Sequence, residues 1–439
     1  MKSLSKLKIS QIDLSDIEMN GNFVTLFQQI LQNHLSYDLL QVKSEHFGEM
    51  YYILNTELIG EILIQNASKL IKVPHGNKIL ERFIGNSVFV SNGEEHRNQR
   101  RWMSPVFQKK QLESLSDSIR DEVQQYVSSW ETSQSVNVFE AMLELTIRII
   151  SRNILGDQGR AEQLELVSQT LNSLLAIFMT QRPLTEQEDE EAERLITSLD
   201  TVIFEEIRER REKPEHYDDL LNMLVQARKP DDSIEEANVE IRNNVGTLFL
   251  AGYEATATAL TWTLHLLTRY PEVQLRMQEE LDRVLKGKAP GIEDVTNLAY
   301  TNQIILESLR LYPPSYQIGR VVTENITLGD TVIPVNAVVM FSQYVMHRHP
   351  HFFSQPEKFI PERFSDTFLR ELDKYAFFPF GIGNRICIGK GLSLNMLVMI
   401  MAAIGQRYNF ASTGDCEAAP VTLTTLNNQH PIVMKITER

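Results

Sequence analysis

The sequence predicts a mainly α-helical protein with a smaller β-rich part. Amphipathic helical patterns follow one another through residues 110–230, and the longest helical pattern of the chain runs from Glu240 to Tyr270. Short β-rich pieces lie near the amino end, at 50–54, and again at 326–333. The length of 439 residues alone would suit two or three domains, but a large, mostly helical chain with 42% hydrophobic residues can bury one continuous core, so we expect a single domain over residues 1–439.

Within that domain we expect a β-rich part at about 1–70, a helical core at about 71–310 and a second β-rich part at about 311–439. The longest apolar run near the carboxyl end, Met396–Ile404, is too short to span a bilayer. The amino end lacks the apolar core of a signal peptide. We therefore expect a soluble protein without a membrane segment.

Cysteine content and net charge argue against a disulfide-bonded secreted protein and against a nucleic-acid-binding protein. The two cysteines, Cys387 and Cys416, offer no disulfide framework, which is typical of the reducing cytoplasm. The formal net charge of −15, without a strongly basic stripe to balance it, argues against a nucleic-acid partner. We expect a cytoplasmic protein that binds neither nucleic acid nor membrane.

One stretch, Phe380–Gly389, carries most of the information on function. It places Cys387 in a glycine-rich loop ahead of an apolar segment, Leu392–Ile404, that is typical of a helix. A thiol near a helix N-terminus meets unpaired N–H groups and the positive end of the helix dipole, which favour the metal-binding thiolate. Three flexible residues and a charged anion donor complete the loop: Gly381, Gly383, Gly389 and Arg385.

Three interpretations of this cysteine compete. Free cysteine is often a buried structural residue. A dinucleotide-binding loop would need a third glycine where Ile386 stands and a strand before the loop, so that interpretation fails. The third interpretation is a haem whose iron is ligated by the thiolate of Cys387.

The pattern Phe380-x-x-Gly383-x-Arg385-x-Cys387-x-Gly389 resembles the cysteine-loop signature of the cytochrome P450 haem-thiolate monooxygenases. The resemblance extends over most of the chain from residue 72 to the carboxyl end and favours the soluble bacterial type. It implies the cytochrome P450 fold, with a large helical domain and a small β-sheet subdomain. It also implies a haem b buried between the oxygen-binding helix and the cysteine-loop helix.

The same resemblance implies which residues contact the haem. Cys387 would be the axial ligand of the iron, and His96 and Arg100, four apart on one helix face, would hold one propionate. Arg320 matches the position that binds the second propionate. Further contacts would come from residues of the cysteine loop: Phe380, Gly381, Arg385 and Gly389. A solvated basic helix surface is the alternative for the segment around His96.

The segment from Ala251 to Thr256 resembles the oxygen-binding helix of this family, Ala-Gly-x-Glu/Asp-Thr-Thr/Ser. Ala251 and Gly252 would leave room beside the helix for a small ligand. Glu254, an acid within an apolar helix, is a candidate member of a proton-delivery chain. These three residues, with Ala255 and Thr256, form the candidate catalytic set.

Ala255 departs from the family pattern, because relatives usually carry there the threonine that assists proton delivery to oxygen. Thr256 lies next to it, but one residue turns a helix by about 100°, so it should not simply substitute. A substrate hydroxyl, an ordered water or Thr256 through a distorted helix could take the role. Alternatively, the reaction needs less proton delivery, as one-electron phenol coupling does. A further alternative is that the residue at position 255 changed by neutral drift, without effect on the reaction.

Glu307 and Arg310, three apart on one predicted helix face, form by themselves only an ordinary surface ion pair. Together with Arg363 they resemble the Glu-x-x-Arg helix of the family and the arginine that completes a buried triad. We therefore expect these three residues to hold the cysteine loop in place. They would have a structural role and take no part in the chemistry.

The substrate pocket is the least defined prediction. Its candidate residues, taken from segments that line the pocket in the family, are Phe83, Val88, Tyr316, Ile318 and Thr425. The apolar segment Leu171–Met179 lies where the family has a mobile lid. His347, His349 and His351 suggest a metal at first glance, but the proline and charged residues around them favour a loop.

The resemblance implies reductive activation of O2 at the haem, followed by oxidation of a small organic substrate. Electrons would come ultimately from NAD(P)H, through a separate ferredoxin or flavodoxin and its reductase. That partner would dock near Arg97, Arg101 and Lys390. Monooxygenation in secondary metabolism is the first hypothesis, oxidative coupling or peroxide-driven turnover the second, and a haem sensor without turnover the third. Glu254 disfavours the sensor, because a sensor needs no proton path.

Overall fold

The computed structural model of the chain describes residues 6–14, 22–44, 48–74, 78–130, 135–156, 161–178, 184–228, 233–414 and 418–439. Cys416 and Met179, both named above, lie outside these residues. The helices and then the strands are given below, each in chain order.

The α-helices are α1 (Val24–Asn33), α2 (Thr56–Gly60), α3 (Lys78–Ile84), α4 (Gly93–Met103), α5 (Lys109–Ser114), α6 (Ser116–Ser128), α7 (Val138–Leu155), α8 (Ala161–Phe178), α9 (Glu186–Glu212), α10 (Leu220–Ala227), α11 (Ile234–Arg269), α12 (Pro271–Leu285), α13 (Ala299–Leu311), α14 (Gln343–Met346), α15 (Asp366–Glu371) and α16 (Lys390–Arg407). The strands are β1 (Ile9–Asp13), β2 (Leu39–Ser44), β3 (Gly48–Ile53), β4 (Leu70–Lys72), β5 (Ser135–Asn137), β6 (Ile318–Val322), β7 (Ile326–Leu328), β8 (Thr331–Ile333), β9 (Val338–Phe341), β10 (Tyr408–Ser412), β11 (Pro420–Thr422), β12 (Leu426–Asn428) and β13 (Val433–Glu438).

The first of two compact units comprises Met1–Pro74, Gln303–Cys387 and Ala418–His430. Its centre is a six-stranded mixed sheet in the order β1-β2-β3-β9-β6-β4. Alternate residues of a strand point to opposite faces. Accordingly, Tyr51 and Ile53 pack in one apolar cluster and Met50 and Tyr52 in another, so both faces of β3 are buried.

The second unit comprises His75–Asn302, Ile388–Glu417 and Pro431–Arg439 and is mainly helical. Helix α11 is 36 residues long and buried along most of its length, and α7 packs along it. The Ser233 hydroxyl caps its first turn by accepting the N–H of Glu236. The helix ends before Pro271, which starts α12 as its first residue.

The acidic run at 185–191 forms the start of α9. The Thr185 hydroxyl accepts the Glu188 N–H, and the Glu188 carboxylate accepts the Thr185 N–H. This reciprocal capping box fixes the first turn of α9. The acidic side chains of that turn also lie at the positive end of the helix dipole, where they are favourable.

The mainly α prediction with small β-sheets is confirmed. Among the described helices, none is both long enough and apolar enough to cross a bilayer.

Candidate active site

The cysteine loop in the first unit is shaped by two glycines in the left-handed region. Gly381 has φ 77° and Gly383 has φ 75°, where other residues are strained. A Cβ on Gly383 would also lie 2.9 Å from the carbonyl oxygen of Leu63. Gly389, in contrast, has an ordinary φ of −84° and precedes the first residue of α16. The backbone freedom expected of all three glycines is therefore used only at Gly381 and Gly383.

The thiol of Cys387 is exposed, so the interpretation as a buried structural cysteine does not hold. Its backbone N–H donates to the carbonyl oxygen of Phe380 at 2.9 Å, and the Gly381 N–H donates to Phe378 O at 2.9 Å. These two bonds close the loop around the glycines. They fix the backbone of Cys387, the exposed residue that carries the thiol.

The first unit also contains a buried network of ion pairs, formed by Glu307, Arg310 and Arg363. Glu307 accepts two hydrogen bonds from Arg310, at 2.7 and 2.8 Å, and both side chains are fully buried. Arg363 approaches the same carboxylate at 3.4 Å. Burial lowers the pKa of Arg310, and its bonds to Glu307 act in the opposite direction. The structure thus brings together the three residues for which the sequence predicts a triad.

His347 connects this network to the cysteine loop. Arg310 donates to the carbonyl oxygen of His347 at 2.9 Å, and the Nε2 of the buried His347 ring accepts the N–H of Phe378 at 2.9 Å. Burial, then the positive charges of Arg310 and Arg348, lower the pKa of His347 well below its ordinary value. A neutral ring keeps the Nε2 lone pair free to accept that bond.

The three alternating histidines make contacts with protein groups. No cluster of three His, Cys, Asp or Glu side chains suited to a metal occurs in the part of the chain that the structure describes. The His349 ring is tilted against Phe352 and the His351 ring meets it edge-on, with ring centroids 5.2 and 4.9 Å apart.

Three cationic side chains gather at one edge of the sheet in the first unit. Lys72 on β4 pairs directly opposite Arg320 on β6, and like charges placed opposite each other on a sheet are destabilising. Burial, with the charges of Arg320 and Arg385, lowers the pKa of Lys72 to about 7. Burial lowers the pKa of Arg320 as well. A carboxylate bound here would offset this mutual repulsion, as expected for a haem propionate.

Helix α4 of the second unit separates its basic residues as the sequence predicts. His96 is buried and Arg100 half-buried, whereas Arg97 and Arg101 are exposed. The spacing of four puts His96 and Arg100 on the inward face. Arg97 and Arg101 lie on the outward face.

The middle of α11 has one open face. Ala251 is exposed, and Leu248 and Ala255 are only partly buried, although the helix around them is buried. Their spacing of three and four places them on one side of the helix. Small side chains on this stripe leave room for a flat group against the helix.

Gly252 was expected to leave room for a small ligand, but the structure gives it a different role. A Cβ on Gly252 would lie 3.0 Å from Cδ1 of Ile150, so the glycine admits α7 and leaves no space for a ligand on that side. The Thr256 hydroxyl donates to the Gly252 carbonyl at 2.8 Å, and α11 is regular through this turn. Thr256 therefore does not reach the position of Ala255 through a distorted helix.

Glu254 is buried on α11, at 3% exposure. Burial and the negative charge of Glu254 raise the pKa of Tyr253. The Tyr253 carbonyl accepts the hydroxyl of Thr146 from α7 at 3.1 Å.

The candidate pocket residues divide between the two units. Phe83 and Val88 are buried in the second unit. In the first unit Ile318 is half-buried on β6, and Thr425 is buried and accepts a bond from Asn427. The hydroxyl of Tyr316 donates to the Leu423 carbonyl at 3.0 Å, so it serves the fold and is not offered to a substrate.

Comparison with known proteins identifies the family. The family model described as Cytochrome P450 matches residues 17–435, and the chain belongs to that family. The cyclooctat-9-en-7-ol 5-monooxygenase of Streptomyces melanosporofaciens is 31% identical over 89% of this chain and 87% of its own length. The pentalenene oxygenase of Streptomyces avermitilis is 28% identical over 81% and 80%.

A solved structure, the haem domain of cytochrome P450DA, superposes on this chain with a TM-score of 0.86 at 23% identity, over 99% of both chains. The P450 fold, the family and the monooxygenase-type oxidoreductase class are thereby confirmed. The family implies a haem iron and the use of O2. The residues found here fit such a group, since they include an exposed cysteine on a fixed loop and buried or half-buried cations suited to propionates.

Two residues of the site were missed in the sequence. Lys72 becomes visible only through the pairing of β4 with β6, two segments far apart in the chain. His347 attracted attention only as one of three alternating histidines. The signal that could have found it is its position between the Glu-x-x-Arg helix and the cysteine loop.

Replacing Glu307 should abolish haem incorporation. Glu307→Ala leaves two buried guanidinium groups without their carboxylate, a change that costs about 3–5 kcal/mol. Haem content per purified protein measures the effect, and Glu362→Ala, at the exposed neighbour of Arg363, is the matched control. Soluble, haem-loaded Glu307→Ala protein would contradict the structural role.

Haem affinity should depend on pH through Lys72. Its pKa is about 7 in the structure, below its ordinary 10.5, and an adjacent propionate would raise that value again. Haem binding would then take up a proton above pH 7, so affinity should fall from about pH 7 to about pH 9 and stay level below pH 7.

Competition with apomyoglobin for haem measures this affinity. Lys72→Met should weaken binding at pH 7 and flatten the slope. If both proteins keep the same slope, Lys72 does not face a propionate.

Proposed function

We propose that this protein oxygenates a small, apolar, cyclic organic molecule in secondary metabolism, with Cys387 as the axial thiolate of its haem. The observation that carries this proposal is the accessible thiol on a loop closed by the Phe380 and Phe378 carbonyls. A haem bound through that thiolate supplies the activation of O2 with two electrons and two protons. The protein residues bind and orient the haem, manage protons and select the substrate.

We assign the propionates to two sets of basic residues that are buried or half-buried. Arg320, Arg385 and Lys72 would hold one carboxylate, because their mutual repulsion favours an anion. His96 and Arg100 would hold the other from the inward face of α4. Phe380, Gly381 and Gly389 would contact the haem through the loop backbone and ring. Glu307, Arg310 and Arg363 would keep the loop in place without touching the haem.

Proton delivery is assigned to Glu254, whose burial in α11 suits a group that holds and passes a proton in a dry site. Ala255 offers no hydroxyl, and the Thr256 hydroxyl is bonded to Gly252. A substrate hydroxyl or an ordered water would therefore complete the path beside Ala251. The small side chains of the open stripe on α11 leave space for either.

The substrate class follows from the relatives and from the apolar candidates for the pocket. Two relatives carry names that describe the oxidation of a cyclic alkenol and of an alkene, respectively. Phe83, Val88 and Ile318 would offer the matching apolar contacts. We infer a terpenoid-like substrate of similar shape, and a hydroxyl on it would serve the proton path as well.

Electrons would come from NAD(P)H through a separate ferredoxin or flavodoxin and its reductase. The exposed Arg97, Arg101 and Lys390 of the second unit provide positive charge for an acidic partner. We further propose that residues 1–439 form a single catalytic domain. We also propose that the protein is cytoplasmic, and this location rests on the cysteine content alone.

One observation favours a second candidate function. Without a hydroxyl at Ala255, oxidative phenol-type coupling or peroxide-driven oxidation would suffer less than hydroxylation, since both need less proton delivery. A haem sensor is a third candidate, and the buried Glu254 argues against it.

The carbon monoxide difference spectrum of the reduced protein tests the main proposal. Thiolate ligation by Cys387 should give the red-shifted Soret band, and Cys387→His should lose it because imidazole donates less electron density to iron. A wild-type protein without that band, or a Cys387→His variant that retains it, would refute the assignment.

Ala255→Thr should improve the use of O2. A hydroxyl at this position would assist proton delivery, so the fraction of consumed O2 released as hydrogen peroxide should fall at least about twofold. Peroxide per NAD(P)H oxidised is measured with a surrogate ferredoxin system. Unchanged release would show that the missing hydroxyl is irrelevant. Guaiacol oxidation by hydrogen peroxide alone, faster in wild type than in the variant, would favour the second candidate function.

A further inference from the structure

The buried ion triad of the first unit does not itself bond to the cysteine loop. The side chains of Glu307, Arg310 and Arg363 bond to one another and to backbone groups of residues 347–360. In the part of the chain that the structure describes, none of these three side chains makes a hydrogen bond to residues 376–389. The effect of the triad on the loop must therefore pass through another residue.

His347 bonds to both. Its carbonyl oxygen accepts a hydrogen bond from Arg310 at 2.9 Å, and its ring Nε2 accepts the buried N–H of Phe378 at 2.9 Å. Phe378 precedes the loop by two residues, and its own carbonyl oxygen accepts the N–H of Gly381. The His347 ring is fully buried, so water cannot replace it as the acceptor for Phe378. One residue thus connects the triad to the start of the loop.

The protonation state of the His347 ring decides whether the bond to Phe378 exists. A neutral imidazole accepts at one nitrogen and carries its proton on the other, so acceptance at Nε2 places the proton on Nδ1. Burial, then the charges of Arg310 and Arg348, lower the pKa of His347 well below its ordinary 6.5, and backbone groups of Leu309 and Arg310 act in the opposite direction. The ring is therefore neutral, with Nε2 free to accept, at neutral pH.

Ring packing is the alternative way in which His347 could hold the loop. Its ring centroid lies 4.8 Å from that of Phe377 and 5.3 Å from that of Phe378, and Phe377 also packs against Phe364. These contacts need only an apolar surface of suitable size, whereas the buried N–H of Phe378 needs an acceptor and is costly without one. Two side chains of equal length that differ in their acceptor can therefore separate the two contributions.

We propose that His347 is a positioning residue for the thiolate ligand, because its acceptance of the Phe378 N–H keeps the cysteine loop closed and Cys387 in place. Glu307 and Arg310 act on the loop through this residue. His347 acts through the loop backbone and takes no part in the chemistry. The inference rests on the proposed function, since Cys387 is the iron ligand only under that assignment.

The test compares two variants, His347→Gln and His347→Met. Glutamine can offer its amide oxygen near the position of Nε2, whereas methionine has the same length and offers only a weak acceptor. Both variants lack the ring, so the loss of packing is common to them. Each holoenzyme is reduced and treated with carbon monoxide at about pH 7.5. The rate at which the red-shifted Soret band, called the thiolate band below, disappears is then measured.

We expect His347→Met to lose the thiolate band at least about tenfold faster than His347→Gln, the effect of one buried N–H left without an acceptor. His347→Gln should stay within about threefold of the wild-type rate. His349→Met is the control, because the His349 ring contacts Phe352 and the Leu35 carbonyl. It should change the rate by less than about twofold.

A pH profile tests the same bond with the wild-type ring in place. The charged groups around His347 are Arg310 and Arg348, which pair with Glu307 and Glu357, respectively. When the loop opens, the pKa of His347 returns toward 6.5, so opening takes up a proton below that pH. Loss of the thiolate band should therefore accelerate up to about tenfold as the pH falls from about 6.5 to about 5.5. His347→Gln should lack this increase.

Four results would overturn the inference. These are equal rates of band loss in His347→Met and His347→Gln, an equal acceleration in His349→Met, a His347→Gln protein that binds no haem, or the same acid-dependent increase in wild type and His347→Gln. If His347→Met binds no haem, the pH profiles of the other two proteins decide. Failure of the proposed function is a separate result, since the wild-type protein would then lack the thiolate band from the start.

Discussion

The bond between Glu307 and Arg310 is the constraint on which the cysteine loop depends. Two fully buried opposite charges are stable only if every donor and acceptor is used. Arg310 therefore donates to backbone carbonyls as well, including those of His347 and Pro356, and Glu307 also accepts the N–H of Ile360. The pair thus orders several stretches of irregular chain that have no sheet or helix to satisfy their backbone.

A series of hydrogen bonds connects this ion pair to the backbone of Cys387. His347 accepts the N–H of Phe378, Phe378 accepts that of Gly381, and Phe380 accepts that of Cys387. A protonated His347 could not accept the first of these bonds. Burial and the neighbouring arginines hold its pKa low, so the connection is intact at neutral pH. Arg310, whose charge stabilises the Glu307 carboxylate, therefore also helps to keep the histidine in its accepting form.

Local pattern was enough to predict the cysteine loop and the longest helix, because each depends on neighbours in sequence. The contacts of Lys72 and His347 were beyond it, since they arise from pairing and burial between distant segments. Gly252 is an intermediate case. The sequence predicted that it leaves room for a small ligand, but whether a glycine admits a ligand or another helix depends on what packs against it, and here that is Ile150.

Helix α11 shows how one element can combine rigidity and space. Near its start, Arg242, Asn244 and Thr247 bind neighbouring backbone and hydroxyl groups, which fixes one side of the helix. About a turn further on, Ala251 and Ala255 present only methyl groups on an open stripe. A threonine in place of Ala255 would narrow that stripe, so the alanine leaves more room for a molecule bound there. A substrate that brings its own hydroxyl would use both the space and the buried acid, Glu254. Selection by shape and delivery of protons would then depend on the same bound molecule.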